Sequence, residues 1–573
     1  MATATEEQVG YAPRCARSGQ PIRLAMQRLW LTGRVLPVGA RLFVHHVFRS
    51  QEQNPLEVIY SFALPRDAAL RRFQVRGEGF SVRSELKAVE EAVRVYEEGL
   101  ARGHLTTLAR HYRDGIVNLT LGNLRPGETV VVSLELLAGV EIYDDGLRFR
   151  FPFTLAPCYH PQARAVESEP GTGEMELPEE EFDDLILPQW RTDSSSLHEV
   201  GFQLAVDAPL AIAETWSPSH AVRVVRSDPK RARVRLAPER DVPDRDFVLD
   251  ARWSESFEGA LAGLGSDGRG RFAAVVPSKR FGEPSFTSRR LVFLLDRSGS
   301  MSGQPMQQAK RACEACLATL SPEDEFGIVV FDNVAEVFRD ALVKADGEAR
   351  DAARTFLARV EARGGTELAA GIERAAAMLS HGGDLFVITD GQVYATEPIL
   401  ARARSAGVRV HCLGIGSASQ DRFLTLLARQ TGGVGRFVTP RERVDAAALE
   451  LFAAAGRPVA EQIEARTEGL AGGRVAPEPP PAVFPGRPLV LFGDADGPGR
   501  GSLRIIWQKG PEPGCLSLPV EIGTAKLGET LRLLQGARLI ADLESQDVSD
   551  SEGWRERRGA GRVGEALRAL SEA

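Results

Sequence analysis

The residues of this chain that could do chemistry sit just after short apolar runs. In Leu291-Val-Phe-Leu-Leu-Asp-Arg-Ser-Gly-Ser300 an apolar run ends at a carboxylate, and two hydroxyls follow at alternate positions. The run predicts a buried parallel strand with Asp296, Ser298 and Ser300 in the turn at its carboxyl end. Open α/β sheets place their ligand sites at that end. One carboxylate and two small hydroxyls converging there make a hard-oxygen nest suited to Mg²⁺. Ile388-Thr-Asp-Gly391 closes another apolar strand, so Asp390 takes the same kind of position as Asp296. Gly364-Gly-Thr-Glu-Leu368 precedes a helix, its glycines permit a tight approach, and Thr366 offers a third hydroxyl. Strands of one polarity end on one edge of a parallel sheet, so residues far apart in sequence can meet there. The candidate ligand set is Asp296, Ser298, Ser300, Thr366 and Asp390. Mg²⁺ prefers octahedral oxygen coordination at about 2.0–2.1 Å and keeps some waters. Neutral hydroxyls leave such an ion incompletely neutralised, and it can accept an acidic oxygen from a partner.

The neighbouring residues read more plainly. Arg297 lies between ligands, and alternation at the turn points it away from the ion. Asp332, after Val329-Val-Phe331, is expected in a surface loop, with an outer-shell role as the alternative. Glu367 reads as a helix-start residue favoured by the dipole. His381 and His411 are expected at a helix end and in sheet packing. Cys313 and Cys316 form a CxxC inside a helical pattern over residues 307–320, where buried positions are expected because free Cys behaves as a small hydrophobe. The sequence contains no GxxxxGK[ST], HExxH or G-x-S-x-G. The expected function is therefore a metal-dependent binding scaffold and not an enzyme. Two alternatives stand beside it: a metal-assisted hydrolase or phosphotransferase, in which Glu367 is the only tempting general base, and a scaffold whose metal is purely structural.

The elements that position these residues alternate. Over residues 289–455 apolar strands at 291–295, 325–331, 384–390 and 408–415 are interleaved with helical patterns near 304–320, 349–360, 368–379, 397–405 and 421–430. This predicts a doubly wound, mainly parallel sheet with helices on both faces. Residues 18–160 are strand-rich with one helical segment at 86–101, which predicts a β-sandwich or barrel-like module. Residues 161–190 include the acidic stretch GTGEMELPEEEFDD and read as a solvated linker. Residues 191–288 form a β-rich connecting region. Residues 456–573 are again β-rich, with a Pro-rich break at 477–488, a helix at 529–544 and a polar end.

Composition sets the outer bounds. The chain has 573 residues, enough for about three to four domains. Hydrophobic residues make up 43% and charged residues 26%, as in an ordinary soluble globular protein. The net charge of -8, without a basic run interleaved with aromatics, argues against a nucleic-acid partner. Scattered cysteines argue against a disulfide framework. No segment reaches the roughly 18 apolar residues of a membrane helix. The first residues carry no apolar core of signal-peptide length, so a cytoplasmic location is expected.

The constellation Asp296-x-Ser298-x-Ser300, Thr366 in Gly-Gly-Thr and Asp390 in Thr-Asp-Gly resembles the metal-ion-dependent adhesion site of von Willebrand factor type A domains. The resemblance covers about 165 residues of a single-domain span. It implies a Rossmann-like sheet and a bound Mg²⁺ or Mn²⁺ with an open position completed by a partner's Asp or Glu. It also implies that Asp296 and Asp390 hold the ion, one or both through water, with Ser298, Ser300 and Thr366 supplying hydroxyls. Upstream, Ile59-Tyr-Ser-Phe-Ala-Leu-Pro65, Tyr96-Glu-Glu-Gly-Leu-Ala-Arg102, Asn118-Leu-Thr-Leu-Gly-Asn-Leu-Arg-Pro-Gly-Glu128 and Phe149-Arg-Phe-Pro-Phe153 resemble the vault protein/inter-α-trypsin (VIT) domain. The order of the two is similar to inter-α-trypsin inhibitor heavy chains and their intracellular and bacterial relatives. The Asp-Pro-His-Phe element of the secreted heavy chains is not found. This implies an intracellular or bacterial comparison, and a VIT-like part that contributes fold and no chemistry of its own.

Overall fold

The computed structural model of the chain describes residues 25–84, 89–111, 115–153, 164–169, 172–176, 198–284, 288–391, 393, 396–416, 419–509, 512–525 and 527–544. Alternation builds its amino-terminal part. Along the strand Gly39–Arg49, Leu42, Val44, His46 and Phe48 turn inward while Arg41, Phe43, His45 and Val47 turn outward. An eight-stranded sheet runs in the order Val222–Asp228, Arg231–Leu236, Glu199–Asp207, Met26–Leu36, Gly39–Arg49, Thr129–Ala138, Ala69–Gly77, Phe80–Arg83. Two smaller sheets face it, one containing Gly146–Phe151 and Phe247–Trp253, the other Leu56–Ala63, Ile116–Leu124 and Thr106–His111. One apolar core joins all three, with Phe48, Phe62, Leu134, Phe149, Phe202 and Phe247 among its members.

This is the expected sandwich, but its membership is wider than residues 18–160. Glu199–Asp207 pairs in parallel with Met26–Leu36, and Phe247–Trp253 pairs with Gly146–Phe151. The expected connecting region thus supplies strands to both layers, because Met26–Leu36 needs a second neighbour to satisfy its outer N–H and C=O groups. Within the expected linker, Arg164–Glu169 and Thr172–Glu176 form an antiparallel hairpin. The rest of the acidic stretch lies outside the described residues. The helix is Val89–Ala101, and Tyr96 donates its hydroxyl to Glu57 at 2.6 Å.

A second sandwich is discontinuous in sequence. Gly259–Leu264 and Gly270–Val276 share a sheet with Leu489–Ala495 and Arg474–Val475. Ala460–Glu468, Gly499–Lys509, Glu512–Ile522 and Ala482–Val483 form the facing sheet. Phe272, Leu503, Ile505 and Trp507 fill the space between them. The α/β unit is inserted between Val276 and Ala460. Its two ends meet: the Arg289 side chain packs over Gly456, whose N–H donates to Asp384. The helix Leu527–Glu544 ties the parts together, with Leu531, Leu534 and Ala537 packed among Leu36, Leu137, Ala273 and Val275 from both sandwiches.

The inserted unit has strands β1 (Arg290–Asp296), β2 (Glu325–Phe331), β3 (Ala335–Val337), β4 (Val343–Lys344), β5 (Asp384–Thr389), β6 (Arg409–Ile415) and β7 (Gly435–Val438). Its helices are α1 (Gln304–Ala318), α2 (Gly347–Ala358), α3 (Leu368–Met378), α4 (Thr396–Ser405), α5 (Asp421–Gln430) and α6 (Val444–Phe452). The sheet order is β3-β2-β1-β5-β6-β7, with β4 also on β2. Pairing is parallel from β2 through β7 and antiparallel for β3 and β4. Leu291, Phe293 and Leu295 pack with α1, α2 and α6 on one face. Val292 and Leu294 pack with α3, α4 and α5 on the other. Both cysteines of the CxxC are buried on α1, as expected, and burial pushes their thiols above the usual range. His411 is buried on β6 with Nε2 3.1 Å from Asp384 Oδ2.

The amino-terminal sandwich docks on α5 and β7. Arg66 pairs with Asp421 at 3.0 Å, and its guanidinium lies 5.0 Å from the Phe437 ring centre. Arg429 bridges Asp67 and Asp542. Arg148 holds both oxygens of Asp250 at 2.8 and 2.7 Å, Glu442 at 2.6 Å and the Phe437 carbonyl at 2.9 Å. Removing one partner of a buried ion pair leaves uncompensated charge. Arg148→Met is therefore expected to cost about 3–5 kcal/mol, read as a lower urea midpoint. An unchanged midpoint would contradict this.

Candidate metal centre

Strand β1 runs apolar to its last residue and then ends on Asp296, which is fully buried. Asp296 Oδ1 accepts the Ser298 N–H at 2.8 Å, and Oδ2 accepts the Thr389 hydroxyl at 2.5 Å. Thr389 Oγ1 in turn accepts the Gly391 N–H at 2.8 Å, with Gly391 at φ 71°. Leu295 pairs with Ile388 across the ladder, so the residues after β1 and after β5 emerge side by side. This is where strand order reverses, the position at which open α/β sheets leave a crevice. Ser298 Oγ lies 3.1 Å from Ser300 Oγ.

Backbone hydrogen bonds bring the Thr366 loop to the same turn. Gly299 N–H donates to Gly364 O at 3.1 Å, and Arg363 N–H donates to Arg297 O at 2.6 Å. Gly365 N–H donates to Asn333 Oδ1 at 3.0 Å, and Glu367 N–H donates to Asp332 O at 2.8 Å. Gly364 adopts φ 70°, which glycine allows without strain. Asp390 is buried, and its carbonyl accepts the Gln420 N–H at 3.1 Å. All five residues singled out from the sequence therefore lie along one edge of the sheet, at the ends of β1 and β5 and in the loop before α3.

The electrostatics of this edge are unbalanced. Burial raises the Asp296 carboxyl above the usual carboxylate range, the nearby Asp332 charge pushes the same way, and the Thr389 and Ser298 hydrogen bonds only oppose it. Thr366 Oγ1 is buried and has no hydrogen-bond partner among the described residues. A buried polar atom left unpaired costs about 1–3 kcal/mol. A carboxylate in low dielectric and an orphaned hydroxyl both fit an oxygen-seeking cation. Among the described residues no three His, Cys, Asp or Glu side chains gather as a metal cluster. A cation here would depend on the hydroxyls.

Two features went unseen in the sequence. Asp332, expected in a surface loop, is buried and pairs with Arg297 at 3.0 Å and Arg363 at 2.8 Å. Glu336 pairs with the same two arginines at 2.7 and 2.6 Å. The arginines draw Asp332 inward, because β3 turns back antiparallel on β2 and sets Glu336 beside them. Arg297 is thus held by Asp332 and Glu336, and the quartet staples the Thr366 loop to the end of β2. Thr389 is the second feature. Its place before Asp390 was visible, but its bond to Asp296 required the β1–β5 pairing.

Residues 289–437 match the von Willebrand factor type A domain family, and residues 26–136 match the vault protein inter-alpha-trypsin domain family. The chain is 26% identical over 500 residues to von Willebrand factor A domain-containing protein 5A of Rattus norvegicus, covering 79% of this chain and 57% of that protein. It is 33% identical over 166 residues to inter-alpha-trypsin inhibitor heavy chain H4 of Homo sapiens, covering 26% of this chain and 18% of that protein. The chain spans less than two thirds of the length of these relatives. A solved von Willebrand factor type A structure from Catenulispora acidiphila aligns with a TM-score of 0.38 at 16% identity, covering 55% of this chain and 87% of that one.

Proposed function

From a chain that carries a VIT domain ahead of a von Willebrand factor type A domain, we propose a divalent-metal-dependent protein-binding scaffold. Asp296, Ser298, Ser300, Thr366 and Asp390 would hold Mg²⁺ or Mn²⁺. The ion would supply an electrophilic position for an Asp or Glu of a partner protein. The observation that carries this reading is the pairing of a desolvated, poorly neutralised Asp296 with the orphaned Thr366 hydroxyl on the same edge. Glu367, the residue weighed as a general base, directly precedes α3 and gives its backbone N–H to Asp332. Among the described residues no helix is long and apolar enough to cross a membrane. We place the scaffold in the cytoplasm on the same reading.

The amino-terminal sandwich meets the type A domain along α5 and β7, through ion pairs such as Arg66–Asp421, Arg148–Glu442 and Arg429–Asp67. The test is calorimetric titration of the full chain with MnCl₂, followed by electron paramagnetic resonance as a Glu-containing peptide is added. Uptake at one site, lost in Asp390→Ala, with a peptide-dependent change in the Mn²⁺ spectrum, is the expected result. Uptake unaffected by the substitution would overturn the reading. Uptake with no spectral response would leave only a structural ion.

A further inference from the structure

The solvent face of the eight-stranded sheet, a different sheet from the one that carries the candidate metal centre, bears an arginine cluster. Alternation along Arg231–Leu236 buries Ala232, Val234 and Leu236 and exposes Arg231, Arg233 and Arg235. Register sets Arg223 opposite Arg235 on the outer neighbour, and Ala205 opposite Arg233 on the inner one. Arg34 follows beside Ala205 on the next strand. Asp207 balances Arg34 and Arg231. Among the described residues Arg223, Arg233 and Arg235 have no ion-pair partner. Like charges directly opposite each other weaken a strand pair, a cost that a bound anion relieves.

Arg34, Arg231, Arg233 and Arg235 border two adjoining depressions of about 450 and 500 Å³ that share Arg34, Asp207 and Arg231. The second runs past Lys230 to Leu261 and Leu527, where the two sandwiches meet. Cations outnumber acids along the trough by five to two: Arg34, Lys230, Arg231, Arg233 and Arg235 against Asp207 and Asp228. The whole chain, by contrast, carries a net charge of -8.

We propose that this trough docks an acidic, extended polypeptide segment of a partner protein. Same-side residues of a strand repeat every ~6.6–6.8 Å, so Arg233 and Arg235 match carboxylates at alternate positions of an extended chain. Guanidinium forks take carboxylates in bidentate pairs. Small Ala205 and exposed Val225 leave an apolar floor for the peptide's other side chains. Asp207 and Asp228 favour a peptide, whose N–H groups and basic side chains can pair with them, over a continuous phosphate polymer.

The test uses the full chain in EDTA, which silences the metal centre and keeps the two readings separate. A fluorescein-labelled peptide with Glu at alternate positions is followed by anisotropy. The expected result is salt-sensitive binding that weakens at least about tenfold in Arg233→Glu/Arg235→Glu, weakens less in Arg233→Ala/Arg235→Ala and is retained in Asp296→Ala. These arginines are exposed, so circular dichroism should match the wild type. No binding by the wild type, or equal binding by the charge-reversed protein, overturns the proposal. So does tighter binding of a DNA oligonucleotide of equal charge, or self-association abolished by the same substitutions, which would assign the trough to a second copy.

Discussion

Asp296→Asn is expected to leave the metal-free protein as stable as the wild type or more so, and to erase stabilisation by Mg²⁺. The wild-type carboxylate is fully buried and is met by hydrogen bonds from Thr389 and Ser298. Its raised pKa means that the folded state disfavours the charge. Asn keeps an acceptor for the Ser298 N–H and removes that charge. With Mg²⁺ at about a hundredfold excess over its dissociation constant, the wild type should gain about 2.7 kcal/mol by mass action. Thermal melts in EDTA and in MgCl₂ check both halves. A variant that melts lower in EDTA and still rises with Mg²⁺ would place the ion elsewhere. Thr366→Val is the companion substitution. The hydroxyl it removes has no partner among the described residues, so only the Mg²⁺-dependent part of the stability should fall.

Acid is expected to loosen the amino-terminal sandwich well before its carboxylates titrate. His46 and His198 are fully buried in the apolar interior of the sandwich. Burial holds both imidazoles down at about 3, against an ordinary value of 6.5, and for His46 the neighbouring His198 acts in the same direction. Between those two values the unfolded chain binds more protons than the folded one, so stability falls as pH falls from 6.5 toward 3. The ceiling is roughly 4–5 kcal/mol for each imidazole. Asp67 and Glu141 are held at about 2 although burial opposes it, by Arg429 for Asp67 and by Arg487 and Arg436 for Glu141. Their contribution is present above the ordinary carboxylate range and is lost only as pH drops through that range toward 2. Urea unfolding at pH 7.5 and pH 5 isolates the histidine window, being on the two sides of 6.5. His46→Leu/His198→Leu should flatten the decline between them. An unchanged slope in that variant would assign the acid sensitivity to other groups.

The α/β unit was legible because each strand is a continuous apolar run and each helix has a clear period. The β1 run of Leu291 to Leu295 is apolar on both parities because helices cover both faces of the sheet. The short elements were not legible. β3, β4 and β7 are two to four residues long, too short to carry a period. Asp332 was misplaced for the same reason: the strand that sets Glu336 beside its arginine partners is three residues long. The boundary after residue 160 was also invisible, since an alternating strand such as Glu199–Asp207 reads the same whether it joins the preceding sheet or starts another.

The sequence by itself determined the candidate ligands, the strands that end on them and the order of the modules, because apolar run length, alternation and hydroxyl–carboxylate spacing are local properties. Tertiary structure alone decided that the type A unit is inserted into a split sandwich. It also decided that Thr389 holds Asp296, that four charged residues clamp the Thr366 loop, and that unpaired arginines line up across separate strands. Those are pairings between residues tens to hundreds of positions apart. They are fixed by sheet register and by the cost of leaving buried polar groups unmatched, neither of which any single segment encodes.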